Sequence, residues 1–204
     1  MEHPFKVYET GPIAVNTVLL PLNDTLYIID PGGSADLLAR AAESFPCKKR
    51  VILLTHAHCD HIAGVPDTAG KLGVKEVFLH PDDLDLYNDP SNSLGPVLRH
   101  PDGLPGTVWP LRDPLIEVRF CPGHSPGGVA YYVPTLKTVF AGDTIFEESI
   151  GRTDLWGGSA RQLEKTIREQ IYTLPEETLI VPGHGPFTDV GHEKRYNAFV
   201  RPEV

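Results

Sequence analysis

The sequence predicts an α+β protein in which two mixed β-sheets pack together and are flanked by helices. Three observations favour this fold class. Short apolar segments of strand-like composition recur along the 204 residues, amphipathic segments with helix-start signals lie between them, and turns rich in Gly and Pro separate the two kinds. Because every sheet must bury an apolar face, so many strands with interspersed helices require layers that cover one another.

The first third of the chain is predicted to hold four strands and one helix. The fourth strand is apolar at every position, which is typical of a strand covered on both faces. Ser34 has the residue type and position of a helix N-cap, and the helix is expected to run to about Ser44. The predicted strands are Val7–Thr10, Ile13–Leu20, Thr25–Ile29 and Val51–Leu54.

The rest of the chain continues the alternation. Ser159 and Gln162 have the spacing of a capping box, and Asp89–Pro114, with six prolines and three glycines, is interpreted as an irregular surface excursion. The predicted helices are Asp60–Leu72, Asp82–Tyr87, Ala160–Tyr172 and His192–Phe199. The predicted strands are Glu76–Leu79, Leu115–Phe120, Val129–Val133, Thr138–Ala141 and Thr178–Val181.

Composition narrows the class of function. The length fits a single domain, expected to span residues 1–204, and a net charge of −9 disfavours nucleic acids and anionic membranes as partners. The apolar runs fall short of the ~20 residues that a membrane span needs. Three cysteines and no apolar leader at the N-terminus predict a cytoplasmic protein without disulfides. The oligomeric state is left open.

Side chains that bind metals follow the ends of four apolar segments. If these strand ends share one edge of the fold, four distant segments deliver ligands to one point. A glycine directly before three of these residues lets the backbone bend there. Val51–Leu54 leads to His56, Val118–Cys121 to His124, Thr138–Ala141 to Asp143, and Leu179–Val181 to His184.

The densest of these signals is the run His56-Ala57-His58-Cys59-Asp60-His61. In an extended chain His56 and His58 project to the same side, and Asp60 and His61 follow at a helix start. Imidazoles and carboxylates suit zinc, iron or manganese. Such a run arises by chance in about one chain of this length in ten thousand. The other histidines lack a partner pattern and are expected to be structural or solvated: His3, His80, His100 and His192.

This run, followed by single His124, Asp143 and His184, resembles the metallo-β-lactamase superfamily from Asp30 to Phe199. The resemblance implies an αββα sandwich with two divalent metals at one edge of the sheets, zinc being expected and iron or manganese the alternatives. It also implies the ligand sets: His56, His58 and His124 for one metal, Asp60, His61 and His184 for the other, and Asp143 as the bridge. Asp60 and Asp143 would thereby act in catalysis.

Within the superfamily, the segments around His124, Asp143 and His184 resemble glyoxalase II, which is hydroxyacylglutathione hydrolase. The ending, from Gly183-His184-Gly185-Pro186 to Phe199, resembles the short bacterial proteins of this type. The C-terminal helical domain that grips glutathione in full-length glyoxalase II is expected to be absent. Its glutathione contacts are therefore not carried over to this chain.

Thioester hydrolysis is the reaction that this set of residues favours. Two neighbouring cations lower the pKa of a shared water and give hydroxide near neutral pH. A thiolate leaves without being protonated, and the motifs offer no acid beyond Asp60, which the resemblance makes a ligand. The expected partner is accordingly a small-molecule thioester.

Other functions and roles stay open. An iron-dependent persulfide dioxygenase shares Gly151-Arg152-Thr153-Asp154 but usually lacks the Gly-His-Gly-Pro ending, and Asp143 stands where most β-lactamases of the superfamily carry cysteine. A nuclease is disfavoured by length and charge, and a regulatory or redox metal module is the alternative from another class.

Two residues near the motifs have two possible roles each. Asp30 either orients ligand histidines or serves a turn. Arg152 pairs either with a substrate carboxylate or with Asp154.

Overall fold

A computed structural model describes residues 3–202. The chain divides into two compact units between Pro110 and Leu111, here called the first and the second unit. Each unit is built around a five-stranded sheet with its own apolar core. The prediction that residues 1–204 form a single domain stays a prediction.

The first unit has the sheet order β1-β2-β3-β4-β5. The first three strands are antiparallel neighbours, and β3, β4 and β5 are parallel. Val51 and Ile52 are both buried although they point to opposite faces, as expected for a strand covered on both sides. The strands are Lys6–Thr10 (β1), Val15–Leu22 (β2), Thr25–Ile29 (β3), Lys49–Leu53 (β4) and Glu76–Phe78 (β5). The helices are Ala35–Ala42 (α1), Cys59–Ile62 (α2), Val65–Leu72 (α3) and Leu84–Asn88 (α4).

The second unit has the sheet order β12-β11-β8-β7-β6 and a separate hairpin of β9 and β10. β8 and β11 are parallel, and the other neighbours are antiparallel. The strands are Glu117–Phe120 (β6), Val129–Val133 (β7), Thr138–Gly142 (β8), Ile145–Phe146 (β9), Ser149–Ile150 (β10), Leu179–Pro182 (β11) and Thr188–Asp189 (β12). The helices are Ala160–Thr166 (α5), which continues as a π-helical turn over Ile167–Ile171, and Val190–Tyr196 (α6).

Apolar periodicity located the helix of the second unit correctly. Leu163, Ile167 and Ile171 are completely buried in its core, where each contributes about 1.5–3 kcal/mol relative to an exposed side chain. Ser159 Oγ accepts a hydrogen bond from the Gln162 amide at 3.3 Å, which is the predicted cap. The predicted single helix changes to π-helical hydrogen bonding after Thr166.

The prediction of one helix over Asp60–Leu72 is wrong. The helix breaks at Ala63-Gly64, where the Gly64 amide donates to the Pro31 carbonyl at 2.8 Å. A Cβ at Gly64 would stand 2.6 Å from the Gly33 nitrogen, so only glycine allows this close approach. The chain therefore turns against the segment after β3 and starts α3 anew.

Three other boundaries differ from the sequence prediction. Ser34 precedes α1 but makes no capping bond, because its backbone is left-handed with φ 57°. The predicted helix at Asp82–Tyr87 begins as a 3-10 turn over Pro81–Asp83 before α4. The last helix starts at Val190 because Asp189 Oδ1 accepts from the His192 amide at 2.8 Å, which makes Asp189 the cap.

The stretch Asp89–Pro114 contains no named helix or strand, in agreement with its composition. It is fixed to the sheet where the Val108 amide donates to the Val77 carbonyl at 2.9 Å. Among residues 3–202, no helix combines the length and apolar character needed to cross a membrane.

Candidate metal centre

The first unit collects the dense histidine motif at one edge of its sheet. β3 and β4 are parallel neighbours, so the residues that follow them lie side by side. The four ligand candidates of the motif are all buried: His56, His58, Asp60 and His61. Buried imidazoles and a carboxylate in one short segment are donors that zinc, iron and manganese accept.

Asp30, directly after β3, orients two of these imidazoles. Its Oδ1 accepts from the Thr55 amide at 2.7 Å, and its Oδ2 lies 3.0 Å from His61 Nδ1. The Thr55 hydroxyl donates to Oδ2 and lies 3.0 Å from His56 Nδ1. Because Nδ1 of both rings is engaged, Nε2 is the atom that each presents to a metal.

A ligand atom of Asp30 lies within 4.8 Å of donor atoms of His56 and His61, so distance alone would allow it to be a metal ligand. Both of its carboxylate oxygens are already engaged by Thr55 and His61. We therefore interpret Asp30 as a residue that orients ligands. Of the two roles considered from sequence, its contacts favour this one over a simple turn residue.

Asp60 and His61 have the spacing of two ligands of one ion. Asp60 Oδ2 lies 3.5 Å from His61 Nε2. Two ligand atoms at ordinary zinc distances in a tetrahedral site are about 3.3 Å apart. The rings of His56 and His58 meet edge to face with centroids 4.8 Å apart. The donor types and spacings of the first unit thus fit divalent metals.

The second unit contributes three further candidates after strand ends. β8 and β11 are parallel neighbours, Asp143 follows β8 and His184 follows β11. Asp143 Oδ2 lies 3.5 Å from His124 Nε2 and 3.8 Å from His184 Nε2. One carboxylate oxygen is therefore close to Nε2 of both histidines, which groups these three candidates at one end of the sheet.

The backbone orients His124. Its Nδ1 lies 2.7 Å from the Arg152 carbonyl, which leaves Nε2 as the atom that faces Asp143. Gly123 has φ 131°, and a Cβ there would stand 2.4 Å from the Leu163 nitrogen. A Cβ at Gly151 would stand 1.9 Å from the Asp143 carbonyl oxygen. Glycine is therefore required at both positions for the ligands to sit where they do.

The Arg152 side chain forms a bidentate ion pair with Asp154. Its Nε and Nη2 each donate to one carboxylate oxygen at 2.8 Å. The hydrogen bonds from Arg152 are the main reason that the pKa of Asp154 is lowered to about 2. The pair is solvent-exposed. Of the two roles considered from sequence, the structure shows the pairing with Asp154.

The remaining histidines have partners within the fold. His80 Nδ1 accepts from the Asp82 amide at 3.2 Å, His100 Nε2 lies 2.9 Å from the Tyr87 carbonyl, and His192 Nε2 lies 3.0 Å from Glu148 Oε1. His3 stacks on Phe5 with ring centroids 5.0 Å apart. These contacts agree with the structural roles expected for them.

Sequence reasoning missed Thr55 and the Arg152 carbonyl. A hydroxyl directly before His56 was a signal that could have been used, because such a group can engage the neighbouring ring. The Arg152 carbonyl left no signal, since any residue supplies a carbonyl. Cys59 lies inside the motif, but burial raises the pKa of its thiol to about 11.

The family profile described as the Metallo-beta-lactamase superfamily matches residues 10–184. The probable metallo-hydrolase YqgX of Bacillus subtilis is 38% identical over 203 residues, covering 93% of this chain and 94% of the relative. The hydroxyacylglutathione hydrolase GloC of Haemophilus influenzae is 33% identical over 182 residues, covering 85% and 86%.

Solved structures resemble the chain over nearly its full length. TTHA1623 in a di-iron-bound form has a TM-score of 0.84 and 36% identity, covering 96% of this chain and 100% of that one. The BLEG-1 B3 metallo-beta-lactamase has a TM-score of 0.83 and 36% identity, covering 96% and 99%.

Proposed function

The chain belongs to the metallo-β-lactamase superfamily, and we propose that this metallo-hydrolase cleaves small thioesters in the manner of hydroxyacylglutathione hydrolases. The predictions of family and of the α+β metallo-β-lactamase fold are confirmed by the family profile and the structural matches. The thioester substrate and the individual site residues are parts of the proposal.

The observation that carries the proposal is the position of the Asp143 carboxylate. Its Oδ2 is 3.5 Å from Nε2 of His124 and 3.8 Å from Nε2 of His184, the histidines that the family pattern assigns to different metals. With metals bound, Asp143 would be placed to contact both of them through its carboxylate. The proposed ligand sets are His56, His58 and His124 for one metal, and Asp60, His61 and His184 for the other, with Asp143 bridging.

The protein's own residues prepare the donor atoms. Asp30 and Thr55 hold the rings of His61 and His56, and the Arg152 carbonyl holds His124, so that Nε2 is the donor in each case. Nitrogen and oxygen donors of this kind accept zinc, iron and manganese alike. Two bound cations supply hydroxide near neutral pH. Asp60 and Asp143 balance part of the cationic charge.

Thioesters suit this site because of their leaving group. A thiol has a pKa near 8.5, so its thiolate departs without a proton from the enzyme. Asp60 and Asp143, the acids of the motifs, lie against ligand imidazoles and are committed to metal binding in this proposal. The similarity to GloC, named a hydroxyacylglutathione hydrolase, supports the same substrate class.

The direct experiment measures three reactions side by side on one preparation that is purified without added metal and whose metal content is determined. These are hydrolysis of hydroxyacylglutathione and of a simpler thioester, oxygen uptake with glutathione persulfide, and opening of a chromogenic cephalosporin. We expect thioester hydrolysis to exceed the other two in kcat/KM. Oxygen uptake as the dominant reaction, with one iron per chain, would instead favour the dioxygenase.

β-Lactam hydrolysis is the second candidate, and the similarity to the BLEG-1 B3 metallo-beta-lactamase favours it. The leaving atom is then an amide nitrogen, which must acquire a proton as the C–N bond breaks. Because the proposed site commits its motif carboxylates to metal binding, we expect slow cephalosporin opening. Cephalosporin turnover as efficient as thioester turnover would overturn this ranking.

A further inference from the structure

The ligand segment after β4 is buried, yet no strand pairs with it. The β4–β5 ladder ends where the Leu54 amide donates to the Phe78 carbonyl at 2.9 Å. Residues 55–58 then continue without regular structure before α2 begins. Buried backbone groups need hydrogen-bond partners, so the partners of this segment determine how firmly its histidines are held.

Two side chains supply partners where a strand would otherwise do so. Asp83 Oδ2 accepts from the Ala57 amide at 2.9 Å, and Asn92 Nδ2 donates to the Ala57 carbonyl at 2.8 Å. Both backbone polar groups of Ala57 are thereby fixed. The Ala57 N–H belongs to the peptide shared with His56 and its carbonyl to the peptide shared with His58, so these bonds restrain the backbone from which both imidazoles project.

Asn92 also holds the other half of the motif. Its Oδ1 accepts from the Cys59 amide at 3.1 Å, which is the first N–H of α2. The N-cap residue, His58, makes no side-chain capping bond, so Asn92 caps this helix from outside. The Asn92 amide group therefore contacts both the segment between His56 and His58 and the helical turn that carries Asp60 and His61.

We propose that Asp83 and Asn92 are positioning residues that hold the segment His56–His61 in its metal-binding shape. Both side chains are almost completely buried, and Asn92 Nδ2 also donates to the Leu86 carbonyl at 3.0 Å, which anchors it to α4. Asn92 belongs to the irregular stretch Asp89–Pro114. The beginning of that stretch is thus a fixed support of the ligand segment. This inference rests on the proposed function, because it assumes that the segment binds metal.

The test measures metal affinity of the full-length protein directly, by Co²⁺ titration against a competing chelator. The d–d absorption of bound Co²⁺ reports ligand geometry, which a merely stabilising residue would not alter. We expect Asn92→Ala to weaken Co²⁺ binding by about 10- to 100-fold, as loss of groups that orient ligands commonly does. We also expect a changed d–d spectrum. Asn92→Ser, which keeps a small polar group, should change both in the same direction but less.

Two matched controls separate positioning from general stability. Asn88→Ala removes a similar bond, from Asn88 Nδ2 to the Leu84 carbonyl at 2.7 Å, at an exposed site on α4. Tyr172→Phe removes a buried hydroxyl of the second unit whose single O–H lies within hydrogen-bond distance of the Glu193 and Val200 carbonyls. We expect Tyr172→Phe to lower Tm. Both controls should leave Co²⁺ affinity and spectrum unchanged.

The Asp83 side chain offers a conservative rescue. Asp83→Asn keeps an oxygen that can accept from the Ala57 amide, whereas Asp83→Ala removes it, so Asn should retain more Co²⁺ affinity than Ala. If wild type binds Co²⁺ while the Asn92 and Asp83 variants match it in affinity and spectrum, the positioning role is wrong. If wild type binds no metal, the proposed function fails instead.

Discussion

The two units hold their candidate metal ligands by different means. In the first unit, four ligands lie within six consecutive residues, and side chains of Asp30, Thr55, Asp83 and Asn92 fix that segment. In the second unit, three ligands come from three distant turns, which are supported by backbone groups and glycines. The Arg152 carbonyl engages His124, and the Gly183 amide donates to the Gly142 carbonyl at 2.8 Å.

This difference predicts how each region tolerates substitution. A segment held by side chains can lose one support and keep the others, so single changes should weaken metal binding in steps. A turn held by close backbone approach has no room for an added Cβ, so even alanine should displace a ligand. The second unit is therefore expected to give the larger single-residue effects.

The largest loss of activity is expected from substitution of Asp143, the proposed bridging residue. Asp143→Asn keeps the shape of the side chain but removes a negative charge and one anionic oxygen. We expect weaker binding of at least one metal and a loss of thioester kcat/KM of about 100-fold or more, far larger than any loss of folding stability. His80→Asn, outside the ligand pattern, should keep near-normal turnover. Two retained metals and near-normal turnover in Asp143→Asn would disprove the bridge.

Gly151→Ala tests the close backbone approach in the second unit. The added Cβ would overlap the Asp143 carbonyl oxygen at 1.9 Å and crowd His124 Nδ1 at 3.1 Å, so the backbone that carries Asp143 or residue 151 must shift. We expect a loss of thioester kcat/KM of roughly 100-fold, together with lower metal content. Gly70→Ala is the matched control, because a Cβ on this exposed residue of α3 meets nothing within 4 Å. It should raise stability by about 0.5–1 kcal/mol and leave activity intact.

Asp30→Asn tests the graded behaviour expected of the first unit. The amide keeps one oxygen for the Thr55 backbone but presents NH₂ where a carboxylate oxygen faces the Thr55 hydroxyl and His61 Nδ1. We expect metal affinity, measured by chelator competition, to fall by about 10- to 100-fold. Asp24→Asn, which removes an exposed ion pair with Lys48, should change neither metal affinity nor activity. An equal loss in both variants would contradict the orienting role.

The smallest effect is expected from shortening the excursion at its tip. Leu94 and Leu98 are bridged by a backbone hydrogen bond of 2.8 Å, so the residues between them can be replaced by a short Gly-Ser link while Asn92 stays in place. If the tip helps to close the substrate cleft, thioester KM should rise severalfold with unchanged metal content. Unaltered kinetics with every thioester tested would show that the tip plays no part in closing the substrate cleft.

The same contrast explains what the sequence could predict. The sequence predicted β3, β7 and the helix that begins at Ala160 because their apolar patterns reflect burial. All three elements are confirmed. The dense motif was readable because its ligands are neighbours in the chain. The break at Gly64 was not, since it depends on contact with Pro31 and Gly33 far upstream.

The supports of the ligand segment were also beyond sequence reasoning. Asp83 and Asn92 stand 26 and 35 residues from Ala57 along the chain, and nothing in their local sequence points to it. The ligand candidates of the second unit were harder to predict than the dense motif but easier than Asp83 and Asn92. Each is a single residue, and only the preceding glycine and apolar strand indicated it. The two-residue strands β9, β10 and β12 were missed because two residues carry no periodic pattern.

The most direct test of the two-metal centre titrates activity against metal. Wild-type protein is stripped with a chelator and reloaded with zinc, iron or manganese in measured equivalents, and hydroxyacylglutathione turnover is followed at each step. We predict no turnover without metal and a rise that levels off at about two equivalents per chain, because the proposed reaction depends on both metal sites. Full turnover at one equivalent, or in the stripped protein, would contradict the two-metal centre.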